Sequence, residues 1–118
     1  METDNTTPPV DLEGFRSVMR EAGVEEIVED TLEIFLQQAE TTFRELEAAR
    51  AGNDTEGMGA AAHSLKSASS NIWATSLAGL LQTLETAAAS GDLNGAIEVF
   101  EEVRPAYMAV MSYLAERT

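Results

Sequence analysis

At 118 residues the chain is long enough for one domain with a core of its own. Its formal net charge is −14, from 21 acidic and 7 basic residues, which argues against binding a nucleic-acid backbone or an anionic membrane surface. It has no cysteine and a single histidine, so disulfides and thiolate metal sites are excluded and no multi-histidine metal site can be assembled. No apolar run reaches the ~20 residues of a membrane span. The opening METDNTTPPV lacks the basic and apolar blocks of a secretion signal, so cytoplasmic residence is expected.

Residues 1–9 read as a disordered lead, polar and threonine-rich, ending in Pro8-Pro9. A helical domain is expected over residues 10–118. Val10 to Arg20 reads as a short helix capped by Asp11, with Leu12, Phe15, Val18 and Met19 as its apolar stripe and Gly23 as its break. Val24 to Arg50 is the longest periodic segment. Val28, Leu32, Phe35, Ala39, Phe43 and Leu46 recur at steps of three and four, and Glu25 and Glu26 fall in the expected first turn, where they suit the helix dipole.

Ala51-Gly52-Asn53-Asp54 ends that helix and offers a cap for the next, which runs to about Trp73. At ~100° per residue, Met58, Ala61, Leu65, Ala68 and Ile72 share one side of it, and Gly59, His63, Lys66, Ser67 and Ser70 the other. After Trp73 no Gly or Pro marks the break; Thr75 or Ser76 can cap a fourth helix with Leu77, Leu80, Leu81, Leu84 and Ala88 as its stripe. Ser90-Gly91-Asp92 is a stop and restart. From Leu93 to about Arg117, the residues Leu93, Ala96, Phe100, Val103, Tyr107, Val110 and Leu114 form the last stripe, with a kink expected at Pro105. The expected fold is therefore all-α: an antiparallel up-down four-helix bundle with an additional short N-terminal helix packed across one end.

His63 is the residue on which chemistry can be argued. A neutral imidazole nitrogen is nucleophilic near neutral pH without a dedicated base, which suits reversible phosphoryl transfer. Such a site needs one open ring nitrogen, a partner that fixes the N–H tautomer on the other, a nearby cation, and room for a second protein. Lys66, one turn on, is a candidate cation and is expected to be exposed; between Asp54 and Arg104 the lysines and arginines are Lys66 and Arg104 itself. Ser67 at i+4 can offer a hydroxyl. Glu85, or Gln82 one turn before it, is placed to reach the second ring nitrogen from the next helix. Gly59, Ala60, Ala62 and Ser70 keep the surrounding surface low. The bland reading stands beside this one: a lone helical histidine is most often an ordinary surface residue, and small residues within helices more often serve close packing than partner access. No G-x-S-x-G or P-loop motif is present, so neither hydrolysis nor ATP binding is expected.

His63-Ser64-Leu65-Lys66, followed by small residues, then Ala74, Leu77 and Leu84-Glu85, resembles the signature of histidine-containing phosphotransfer (HPt) domains of two-component signalling. The pattern is roughly H-x-L-K-G-x-(S/A)-x-x-x-G-A, followed by a leucine-rich helix that often ends in L-E. The resemblance implies a phosphorelay intermediate rather than an enzyme, with His63 phosphorylated on Nε2. It implies that Lys66 meets the phosphoryl oxygens, that Glu85 holds the other ring nitrogen, and that Gln82 contributes. The implied partners are receiver domains of response regulators or hybrid histidine kinases, docking around Gly59, Ala62, Ser70 and Trp73. The receiver would supply Mg²⁺, so the chain would need no cofactor, and it is expected to be a monomer.

Two positions depart from the family pattern. Ser67 and Trp73 stand where glycines are usual. Trp73 either packs between helices or serves as an aromatic docking anchor. They make an alternative conceivable: a non-phosphorylated adaptor of the same fold that binds receivers or other helices. A third reading is the phosphorylatable N-terminal domain of a larger kinase; Met1 and the charged tail after Leu114 favour a free-standing protein over it.

Overall fold

The computed structural model describes residues 8–117. Five helices follow one another: α1 (Leu12–Glu21), α2 (Ile27–Ala51), α3 (Thr55–Asn71), α4 (Thr75–Ala89) and α5 (Leu93–Arg117), with no strand among the described residues. The last four form an antiparallel bundle in which α3 packs chiefly on α4, and on α2; α4 also packs on α5, and α1 lies against α2. Residues 1–7 of the expected disordered lead lie outside the described residues.

The helical stripes close one apolar core. All six predicted residues of α2 are buried, as are Ala96, Phe100, Val103, Tyr107, Val110 and Leu114 of α5. Phe43 stacks on Tyr107 at 4.0 Å between ring centroids, and on Phe100 at 6.1 Å. Ala68, Leu80 and Leu93, predicted on the stripes, are half-buried at the core's edge. Val18 is exposed, because the ten-residue α1 touches the bundle along a narrow line through Phe15. Val10 is fully buried but precedes the helix it was expected to open. Helix α2 begins later than its periodicity predicts: Glu25 lies before it and pairs with Arg20 at 3.1 Å, while Glu29 and Asp30 fill the first turn. Helix α5 continues without interruption through Pro105, which is exposed.

The three turns of the bundle share one mechanism. Each is three residues long, and its middle residue takes a left-handed backbone: Asn53 (φ 55°), Trp73 (φ 66°) and Gly91 (φ 76°). In each, two amides fold back on the preceding helix. Asp54 N–H donates to Ala49 O, Ala74 N–H to Ser69 O, and Asp92 N–H to Ala87 O, at 2.8, 2.9 and 3.0 Å. The middle residues donate to Arg50, Ser70 and Ala88. This double return is the Schellman motif, which satisfies the orphan carbonyls of a helix end and normally uses glycine. Asp54 and Asp92 then cap the following helices, each accepting from a backbone N–H (Gly57, Gly95) at 3.0 Å.

The α3–α4 turn has the least favourable residues for this job. Trp73 occupies the glycine position, and Ala74, not Thr75 or Ser76, is the N-cap of α4, without a side-chain hydrogen bond. Thr75 is already the first helical residue, so its hydroxyl cannot cap from there. The compensation comes from α1. The Asp11 N–H donates to Trp73 O at 3.0 Å, and the Phe15 ring stacks on the indole at 6.3 Å and 15°. A left-handed backbone costs a residue with a side chain ~1–2 kcal/mol, a penalty glycine escapes. Trp73→Gly and Trp73→Ala both lose the stack, but only alanine keeps the strain. In urea denaturation the glycine variant is expected to be about 1 kcal/mol more stable than the alanine variant.

Candidate functional site

The register of α3 against α4 brings four predicted residues together. Leu65 and Met58 anchor the inner face of α3, and Leu81 and Leu84 that of α4. His63 and Lys66 consequently lie along the seam between the helices, facing Gln82 and Glu85. His63 Nδ1 lies 2.8 Å from Glu85 Oε2, and Lys66 Nζ donates to Glu85 Oε1 at 2.7 Å. Lys66 Nζ also donates to Gln82 Oε1 at 2.8 Å. One carboxylate thus ties the imidazole and the ammonium to each other.

The Glu85 carboxyl is held below its ordinary pKa by the hydrogen bond from Lys66 and, more weakly, by the one from His63, against the opposing effect of desolvation. An ionised carboxylate can only accept, so in the neutral ring the proton sits on Nδ1 and donates to Glu85. Nε2 then keeps its lone pair. The His63 side chain is 61% exposed, whereas those of Lys66 and Glu85 are only 22% and 27% exposed. Lys66 is therefore not the exposed side chain its own helix suggests, because α4 covers most of its stem.

Beside the imidazole lies an open groove of about 800 Å³, lined by Gly59, Ala60, Ser64, Glu85, Ala88 and Ala89 among others. A Cβ at Gly59 would stand 3.3 Å from the Ala88 Cβ, so this glycine serves close α3–α4 packing as well as the low floor of the groove.

Other predicted residues take no part in the hydrogen bonds of the cluster. Ser67 and Ser70 are exposed. Ala62 is fully buried and cannot meet a partner; its side chain is small enough for the wheel to leave its face ambiguous, and the core takes it. Trp73 sits ten residues beyond His63, half-buried, with its indole stacked on Phe15 as the packing role expects. Thr86 is a residue the sequence reading missed. Gln82 Nε2 donates to its Oγ1 at 3.2 Å. The available signal was its spacing of four from Gln82 on one helix face.

The fold and the cluster together define a class: a helical bundle suited to carrying a group on an imidazole, with one ring nitrogen anchored, the other open and a cation fixed nearby. The chain belongs to the Hpt domain family, whose sequence model matches residues 30–113. It is similar to a solved structure, histidine-containing phosphotransfer protein B (HptB) from Pseudomonas aeruginosa PAO1, at 30% identity and a TM-score of 0.76, over 95% of this chain and 96% of that one. Comparison with curated proteins finds no match. The chain has the phosphorelay role of this family, histidine phosphotransfer. No helix among the described residues is long and apolar enough to cross a membrane.

Proposed function

We propose that His63 Nε2 is the atom that carries the phosphoryl group, accepting it from the aspartyl phosphate of one receiver domain and returning it to the aspartate of another. The observation that carries this reading is the Nδ1–Glu85 contact at 2.8 Å on an otherwise exposed ring. In the forward step the Nε2 lone pair attacks phosphorus. The P–N bond forms as the P–O bond to the receiver's aspartate breaks, and the electron pair leaves on that carboxylate. No proton has to move, because Nδ1 keeps its hydrogen. The phosphorylated ring is then an imidazolium, and Glu85 stabilises its positive charge at the far nitrogen.

Lys66 acts on the other side of the balance. Its ammonium is held by the same Glu85 carboxylate as the imidazole, in a chain whose overall field repels anions, which supports a role for it as the cation that meets the phosphoryl oxygens. The Mg²⁺ of the reaction belongs to the receiver, and this chain contributes no ATP site and no kinase activity of its own. The groove beside His63 leaves room for the receiver's approach.

Incubation with a phosphorylated receiver is expected to place an acid-labile label on the protein. His63→Gln is expected to abolish it. Label that persists in this variant would remove His63 from the role.

A further inference from the structure

Lys66 does not reach its position unaided, and the structure assigns Thr86 as a positioning residue for it, acting through Gln82. The inference rests on the proposed role of His63 and Lys66 in transfer. An ammonium has three N–H donors and no acceptor, so the Gln82 amide must turn its oxygen toward Lys66. Its nitrogen then points along α4 to the Thr86 Oγ1, at 3.2 Å. That hydroxyl spends its own proton on Gln82 O at 3.0 Å, which leaves its lone pairs to receive the amide. Thr86 thereby fixes which end of the Gln82 amide faces the lysine.

The consequence is a count of donors. Glu85 Oε1 takes one Lys66 donor at 2.7 Å and Gln82 Oε1 takes a second at 2.8 Å, leaving the third for a phosphoryl oxygen. Without the Thr86 hydroxyl, the amide of the exposed Gln82 can rotate and present its NH₂ to the ammonium, a contact neither group can accept. The lysine then loses its second anchor. Among the described residues, the hydrogen bonds of the Thr86 hydroxyl are both with Gln82.

The test uses the full chain in two measurements on Thr86→Val, Thr86→Ser, Gln82→Ala and the Gln82→Ala/Thr86→Val double variant. The first is proton exchange of the Lys66 ammonium followed by NMR in the unphosphorylated protein. The second is the transfer rate from a saturating phosphorylated receiver. Thr86→Val is expected to speed the exchange and to slow transfer about fivefold, the scale of one neutral hydrogen bond. Thr86→Ser is expected to restore both, and Thr86→Val is expected to add nothing in the Gln82→Ala background. Unchanged exchange in Thr86→Val, or an equal effect in both backgrounds, overturns the chain from Thr86 to Lys66. Changed exchange with an unchanged transfer rate overturns its part in the reaction. If exchange responds as expected while even the unsubstituted protein takes no phosphoryl group, the fault lies in the reading of His63 and not in the position of Lys66.

Discussion

Glu85→Ala is expected to slow phosphoryl transfer by about 10–100-fold, the scale lost when the partner that orients a metal-bound histidine is removed. The size of the effect follows from Glu85 serving two residues at once, His63 at 2.8 Å and Lys66 at 2.7 Å. Without it the ring is free to carry its proton on Nε2, which removes the lone pair that attacks. Lys66 at the same time loses the anion that holds it beside the ring. Glu85→Gln is expected to fall between, because an amide oxygen still accepts from Nδ1 but offers no charge to the ammonium or to a phosphorylated ring. Single-turnover transfer from a phosphorylated receiver distinguishes the three proteins. The fold should survive in each, since Glu85 lies outside the buried stripe of α4.

The same carboxylate sets a pH dependence. Lys66 and then His63 hold the Glu85 carboxyl below its ordinary pKa. A group lowered on folding contributes stability that is full above its unfolded pKa and disappears as pH falls through the folded value. The stability advantage of the unsubstituted protein over Glu85→Gln should therefore shrink as pH falls through and below the ordinary carboxylate range. Melting curves over that range measure it.

Leu65→Ala is the substitution with the largest expected effect on the fold. Leu65 lies between His63 and Lys66 in sequence, faces away from His63 and is fully buried. Its truncation loses apolar contact and leaves a cavity, at a cost of ~2–5 kcal/mol. That is a large share of the ~5–15 kcal/mol of a typical domain. Urea denaturation reads it directly. A cost under ~1 kcal/mol would mean that α3 is rotated from the orientation that puts His63 outside. Transfer per folded molecule should change much less than in Glu85→Ala, because Leu65 positions the helix and touches none of the reacting groups.

The helices were legible because their stripes are. The steps of three and four from Val28 to Leu46 and from Ala96 to Leu114 give faces that the structure buries in full. The cluster was legible in part. Its four members could be named, but the choice between Glu85 and Gln82 for the ring depends on the register of α4 against α3, which no single helix encodes. The register gives Glu85 to the imidazole and both residues to the lysine, and it explains why Lys66 is mostly covered.

The α3–α4 boundary was obscure for a local reason. A left-handed residue there is expected to be glycine, and Trp73 takes that backbone with the Phe15 ring stacked on its indole and the Asp11 amide on its carbonyl. Those contacts come from a helix more than fifty residues earlier, beyond the reach of local pattern. Ala62 was misplaced because alanine fits either face, and Val18 because a stripe does not reveal how wide a contact a short helix will make.

The most direct test of the central claim is nitrogen NMR of the phosphorylated protein with ¹⁵N in the histidine ring. A single modified histidine is expected, with phosphorus coupled to Nε2 of His63 and the hydrogen retained on Nδ1 in its bond to Glu85. Phosphorus on Nδ1, or on any residue other than His63, would contradict it.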